Sequence, residues 1–171
     1  MCEKPIRLAD IIGDSITDGP GIRATVFVQG CHHHCEGCHN PTTWDPAGGA
    51  DHTWQEIWQR ISKNPLMRGV TFSGGEPFEQ AEALLPLAKE IRSRGLELAI
   101  YTGGLFEDIL KRGGSELALL EQAQILVDGP FILKQRNLLL KFRGSENQRI
   151  IDVKRSLEAG RAVIDSSDRW N

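Results

Sequence analysis

The sequence predicts an α/β fold with a mostly parallel sheet. Three observations lead there. Short β-branched or apolar runs alternate with stretches of helical apolar spacing, the pattern of βα units. A glycine-rich or polar motif follows each of the four clearest runs, at 29–40, 73–77, 102–104 and 128–130. The 171 residues, 40% hydrophobic and 25% charged, suit one soluble domain with its own core.

The elements follow in order. Residues 22–28 are β-branched and apolar enough for a strand that ends at Gln29-Gly30. A cysteine-rich loop runs to Trp44, and the Pro/Gly-rich connector 45–49 follows. Thr53 and Glu56 have capping-box spacing ahead of Ile57, Trp58 and Ile61, which predicts a helix over 54–62. Val70, Thr71 and Phe72 form a short strand running into Ser73-Gly74-Gly75-Glu76-Pro77. Pro77 suits a first helical turn, and 78–94 has helical spacing closed by Gly95, with Pro86 expected to kink or split it.

Residues 96–101 read as the next strand, followed by Thr102-Gly103-Gly104 and a helical stretch over 105–112. A helix over 115–122 leads into a strand at 124–127 and the turn Asp128-Gly129-Pro130. Beyond it, 138–142 and 149–153 read as short strands, with a helix near 154–159. Ligands of parallel α/β sheets sit at the carboxyl ends of the strands, so the four motif loops should converge on one face. No internal repeat, linker or second domain is apparent.

Lys and Arg number 20 and Asp and Glu 23, for a net charge of -3. That balance gives no electrostatic case for a nucleic-acid partner. No apolar run approaches the ~18 residues of a membrane span, and the first twenty residues lack a signal-peptide core. A cytoplasmic enzyme or binding domain without a membrane partner is the expectation.

Of the four cysteines, Cys31, Cys35 and Cys38 fall within eight residues, and Cys2 lies far away near the amino end. A disulfide framework would spread its cysteines to staple distant loops, so the cluster points to a metal site in a reducing compartment. Cys2 reads as an unpaired thiol without a role. Three thiolates at this spacing select zinc or an iron–sulfur cluster. Zinc would need a fourth ligand, for which His32, His33, His34 and His39 are available. A four-iron cluster with three protein ligands would leave one iron open to a substrate. Spacing alone leaves both in play.

The CxxxCxxC spacing after the first strand, with Gly74-Gly75-Glu76-Pro77 some 35 residues downstream, resembles the radical S-adenosylmethionine enzymes. The resemblance covers residues 13–156 and implies a partial, open (β/α) barrel, with 1–171 one radical-SAM domain and the two ends peripheral. It further implies that Cys31, Cys35 and Cys38 hold one [4Fe-4S] cluster. S-adenosylmethionine would be the cosubstrate, chelating the fourth iron and being cleaved reductively to methionine and a 5′-deoxyadenosyl radical. On the same resemblance Gly74, Gly75 and Glu76 hold the methionyl amino group, and Thr102 and Asp128 are candidates for ribose or methionine contacts. Many members carry an aromatic residue just before the third cysteine, where this chain has Gly37; the neighbouring His39 is the candidate to lie against the adenine. Formate-lyase activating relatives have a lysine two residues after the aspartate, where this chain has Pro130. That leaves Lys134, Arg136 and Arg143 as candidate partners of the S-adenosylmethionine carboxylate.

Three further segments narrow the family. Asp18-Gly19-Pro20-Gly21-Ile22-Arg23 resembles the DGPG-I-R motif of activases that install glycyl radicals. Gly37-Cys38-His39-Asn40-Pro41-x-Thr43-Trp44 and the stretch from Phe142-Arg143-Gly144-Ser145 to Asp152 resemble the form found in activators of anaerobic (class III) ribonucleotide reductase. There is no second cysteine-rich insertion. The implied reaction is hydrogen abstraction from a glycine Cα of the large reductase subunit. Asp18, Gly19, Pro20, Gly21 and Arg23 would form part of the docking edge for that subunit. A low-potential donor such as a flavodoxin would supply the electron. The alternatives are an activase of another glycyl-radical enzyme of formate-lyase type, a small-molecule radical enzyme such as a carboxy-deazaguanine synthase, and a non-catalytic zinc-binding module.

Overall fold

Successive residues of each strand face opposite sides of the sheet, and the central strands are buried on both. The computed structural model describes residues 3–171, so Cys2 lies outside them. Seven strands are ordered β3-β1-β2-β4-β5-β6-β7. They are β1 (Ile6–Ser15), β2 (Arg23–Val28), β3 (Ala50–His52), β4 (Gly69–Gly74), β5 (Glu97–Tyr101), β6 (Ile125–Asp128) and β7 (Arg149–Asp152). The central four, β2, β4, β5 and β6, run parallel. The flanking strands β1, β3 and β7 are antiparallel to their neighbours, and the sheet does not close.

Val26 and Val28 of β2, Val70 and Phe72 of β4, and Leu98 and Ile100 of β5 face one side. There they form the main core with Ile57 and Ile61 of α1 (Trp54–Ile61) and Leu84, Leu87 and Ile91 of α2 (Ala81–Ser93). Leu119 and Leu120 of α4 (Gly114–Leu120) complete it, beside Phe106 and Ile109 of α3 (Phe106–Arg112). The alternate residues of the same strands face the other side, as the two-residue period requires. On that side Ala99, Ile125, Val127 and Ile150 make a smaller core capped by Trp170.

The capping box predicted at Thr53 and Glu56 starts α1, and α5 (Val153–Ala159) lies where the sequence placed a helix. Two expectations are corrected. Pro86 does not split its helix: α2 runs unbroken through it, because Leu84, Leu87, Ala88 and Ile91 are fully buried around it and together outweigh the ~3 kcal/mol a helix-interior proline costs. Residues 138–142 are not a strand but the tip of a turn, where Leu138 and Leu139 face solvent. The sheet also has two strands the sequence reading did not assign, β1 and the three-residue edge strand β3.

Candidate functional site

The carboxyl ends of β2, β4, β5 and β6 lie side by side, so the four motif loops do share one end of the sheet. The cysteine loop leaves β2 and is pinched shut at its base. Gly30 N–H donates to Thr43 O at 2.7 Å and Cys31 N–H to Trp44 O at 3.1 Å, while Gln29 Nε2 reaches Thr42 O and Asp45 O. Inside that base Cys31, Cys35 and Cys38 are all free and half-buried. Cys38 Sγ accepts from Asn40 N–H at 3.4 Å. Burial pushes the Cys31 thiol up; a backbone bond at His33 opposes this, and the Glu76 and Glu79 carboxylates add to it.

Among the described residues, no three His, Cys, Asp or Glu side chains converge closely enough to hold a single metal ion. The four loop histidines are committed elsewhere. His32 meets Glu79, His33 bonds Glu76, His34 stacks on Trp44 with ring centroids 4.6 Å apart, and His39 lies against Phe131 at 5.3 Å.

Glu76 ties the loops together. It caps the 3-10 turn Pro77–Gln80 by accepting from Phe78 N–H at 3.1 Å. Its carboxylate also accepts from Thr102 Oγ1 at 2.8 and 2.9 Å, from Gly103 N–H at 2.9 Å, and from His33 Nε2 at 2.7 Å. That bond to Glu76 holds the His33 imidazole above its usual range, against the effect of burial. One buried carboxylate thus joins the cysteine loop, the Gly-Gly-Glu-Pro turn and the Thr-Gly-Gly turn. The glycines serve close backbone approach. Gly75 N–H donates to Val28 O at 2.7 Å and Glu76 N–H to Gly30 O at 2.8 Å. A Cβ on Gly74 would sit 2.6 Å from Val28 N, and one on Gly75 would overlap Gly30 O.

Asp128 is fully buried at the end of β6. It accepts from Phe106 N–H at 2.8 Å and from Arg149 Nε at 2.9 Å and Nη2 at 2.5 Å. Arg149 in turn forms a bidentate pair with Glu107, at 2.8 and 3.0 Å, which holds that carboxyl below its usual range. Asp128 therefore anchors β6 to α3 and β7. Thr102 is buried beside Glu76, whereas His39 is exposed and lies against Phe131. Of the candidate cations, Lys134 and Arg136 are exposed, and Arg143 donates to Gln148 O at 2.7 Å.

Sequence reasoning missed Phe131. Gly37 has φ +75°, and a Cβ there would come 2.9 Å from Leu133 Cδ1 and 3.3 Å from Phe131 Cε1. The aromatic ring that the chain lacks before Cys38 thus stands next to that position, supplied from the segment after β6. The signal was the Val127-Asp128-Gly129-Pro130-Phe131 run, in which only Asp128 was given a role in the site.

The Asp18–Arg23 segment lies at the other end of the sheet, roughly 17 Å of strand from the cysteine loop. Arg23 is fully buried: Nε donates to Thr71 Oγ1 at 3.0 Å, Nη1 to Glu97 Oε1 at 2.9 Å, and the guanidinium lies 5.3 Å from the Trp170 ring centroid. Burial lowers its pKa and Glu97 opposes that shift. Asp18 accepts from Ser15 Oγ at 2.5 Å and Thr25 Oγ1 at 3.1 Å. Gly19 packs against Arg23 and Trp170, and only Gly21 is exposed, with Pro20 half-buried. These residues fold the chain onto the smaller core.

A family model described as a 4Fe-4S single cluster domain matches residues 17–151. The chain belongs to this 4Fe-4S family. The pyruvate formate-lyase-activating enzyme of Clostridium pasteurianum is 39% identical over 132 residues, which are 72% of this chain and 55% of that one, so the chain spans about half the length of that relative. The anaerobic ribonucleoside-triphosphate reductase-activating protein of Vibrio cholerae is 35% identical over 142 residues, covering 78% of this chain and 89% of the relative. Its namesake from Enterobacteria phage T4 is 34% identical, covering 78% and 85%. No helix of the described residues is long and apolar enough to cross a membrane.

Proposed function

We propose that this 4Fe-4S protein is an activase that installs a glycyl radical, and that its protein substrate is the large subunit of anaerobic ribonucleoside-triphosphate reductase. The observation that carries the proposal is the Glu76 junction, which fastens the three-cysteine loop to the Gly-Gly-Glu-Pro and Thr-Gly-Gly turns at the carboxyl end of a parallel sheet. Cys31, Cys35 and Cys38 fit a [4Fe-4S] cluster: three soft donors, all free, on one clamped loop. When bound, the cluster supplies the electron that cleaves S-adenosylmethionine to methionine and a 5′-deoxyadenosyl radical able to take hydrogen from a glycine Cα.

The chain's own residues position and shield. The rigid turn at Gly74, Gly75 and Glu76 offers its backbone to the methionyl amino group, with Thr102 beside it. His39 and Phe131 present the aromatic surface for adenine, Phe131 taking the place that Gly37 leaves open. Asp128 acts through Arg149, fixing the end of β6 at the floor of the site. The sheet, which does not close into a barrel, admits a loop of a large protein. A low-potential protein such as a flavodoxin delivers the electron.

The two segments that resemble reductase activators both pack on the Pro130-Phe131 turn, through His39 on Phe131 and Asn147 Nδ2 to Pro130 O at 2.7 Å, which supports the reductase as substrate. The 39% identity to a formate-lyase activase favours a second reading, formate lyase as the substrate. The test is 5′-deoxyadenosine formation by the anaerobically reconstituted, reduced protein with either candidate substrate. Stimulation by the reductase subunit alone is the expected result. Stimulation by formate lyase alone favours the second reading, and no 5′-deoxyadenosine at all overturns both.

A further inference from the structure

We propose that the arm 131–145 is a docking prong, whose tip, Leu138 and Leu139, seats in an apolar, carboxylate-rimmed pocket of the protein substrate. The proposal rests on the activase reading above. The arm is built and held in place. An antiparallel bridge joins Arg136 to Ser145, Asn137 N–H donates to Gly144 O at 3.2 Å and Glu146 N–H to Gln135 O at 3.0 Å. At the tip, Asn137 Oδ1 accepts from Leu139 N–H at 2.9 Å and Asn137 O from Leu140 N–H at 3.3 Å. A turn of this kind is normally finished with polar residues. Here two successive leucines are exposed at 81% and 91%, more than any other large apolar residue described.

Each exposed leucine forgoes the stabilisation that burial would return, so a tip held in this shape is suited to being covered. Charge indicates by what. Residues 134–143 contain Lys134, Arg136, Lys141 and Arg143 and no Asp or Glu, in a chain of net charge -3. None of the four pairs with a side-chain carboxylate among the described residues; Lys141 Nζ donates to Asn171 O at 2.8 Å and Arg143 Nη1 to Gln148 O at 2.7 Å, while Lys134 and Arg136 are exposed. Two copies meeting arm to arm would bring like charges together, whereas an acidic rim on another protein would complement them.

Position indicates which protein. The base of the arm rests on the cysteine loop, with Phe131 against His39 and Leu133 beside Gly37. A protein gripped by the tip is therefore held on the side of the molecule that carries the cysteine loop, toward which its glycine has to be brought for hydrogen abstraction.

The test uses the full chain, reconstituted and reduced, with Leu138→Ser and Leu139→Ser combined. Two quantities are read: the dissociation constant for the reductase large subunit, and 5′-deoxyadenosine formed without that subunit. The expected result is binding weakened at least about tenfold, as for loss of an interface hot spot, with uncoupled cleavage within about twofold of wild type. Wild-type affinity should also fall as salt rises. Unchanged affinity in the double variant, with a wild type that binds and cleaves, overturns the prong and leaves the activase standing. Lost self-association with unchanged reductase affinity also overturns it, assigning the tip to copies of this chain. A wild type that neither binds the reductase subunit nor forms 5′-deoxyadenosine overturns the activase reading and the prong with it.

Discussion

At the residue scale, the site is held by acid groups set between loops. Glu76 joins three loops, while Asp128 and Glu107 share one guanidinium, Arg149. The Glu107 carboxyl is held below its usual range by Arg149, so the stability it lends is present above the ordinary carboxylate range and lost as pH falls through the lowered value. Glu107→Gln should therefore reduce the loss of unfolding free energy between pH 7 and acid pH, measured by urea denaturation. The difference should stay within about 1 kcal/mol, because Glu107 is partly solvent-facing. The cysteines give a sharper outcome. Cys31→Ala, Cys35→Ala and Cys38→Ala should each abolish S-adenosylmethionine cleavage and lower bound iron, whereas Cys2→Ala should leave both at wild-type levels. The three thiols proposed as cluster ligands could be picked out in sequence because they lie on one loop and are close in the chain. Phe131 and His33 were not, since their contacts with His39 and Glu76 arise only when separate loops are brought together by strand order.

Among the elements, α2 offers the plainest test. Pro86 removes one amide from a helix otherwise anchored by four buried apolar residues. Pro86→Ala should raise stability by about 2 kcal/mol, the ~3 kcal/mol interior penalty less the ~1 kcal/mol by which proline restricts the unfolded chain. Thermal unfolding of the two proteins checks this. The parallel strands were legible from their β-branched runs, and α1 from its capping box. β1 was not, because irregular pairing between Leu8 and Asp10 and between Ile12 and Ser15 breaks the two-residue period. β3 is three residues long and mostly exposed, too short for any pattern. Residues 138–142 misled in the opposite direction: an apolar run reads as strand, yet here the leucines point into solvent.

Across the whole molecule, the two faces of the sheet divide the work. One face packs against helices and stabilises the fold; the other is closed at its amino end by Trp170, Arg23 and Asp18 and leaves the carboxyl end to the four loops. Trp170 is 1% exposed although it is the penultimate residue, and nothing in the polar stretch around it announces burial; only the finished sheet provides its pocket. With the far end packed and the sheet open, the proposed protein substrate would reach the cysteine loop from the side of the arm.

The most direct measurement is the electron spin resonance spectrum of the reductase large subunit after anaerobic incubation with this protein, iron, sulfide, a reductant and S-adenosylmethionine. A doublet that collapses to a singlet when the subunit carries α-deuterated glycine is the predicted result, since the splitting comes from the remaining hydrogen on the glycine Cα. A reconstituted, S-adenosylmethionine-cleaving protein that leaves the subunit without any radical signal would contradict the account.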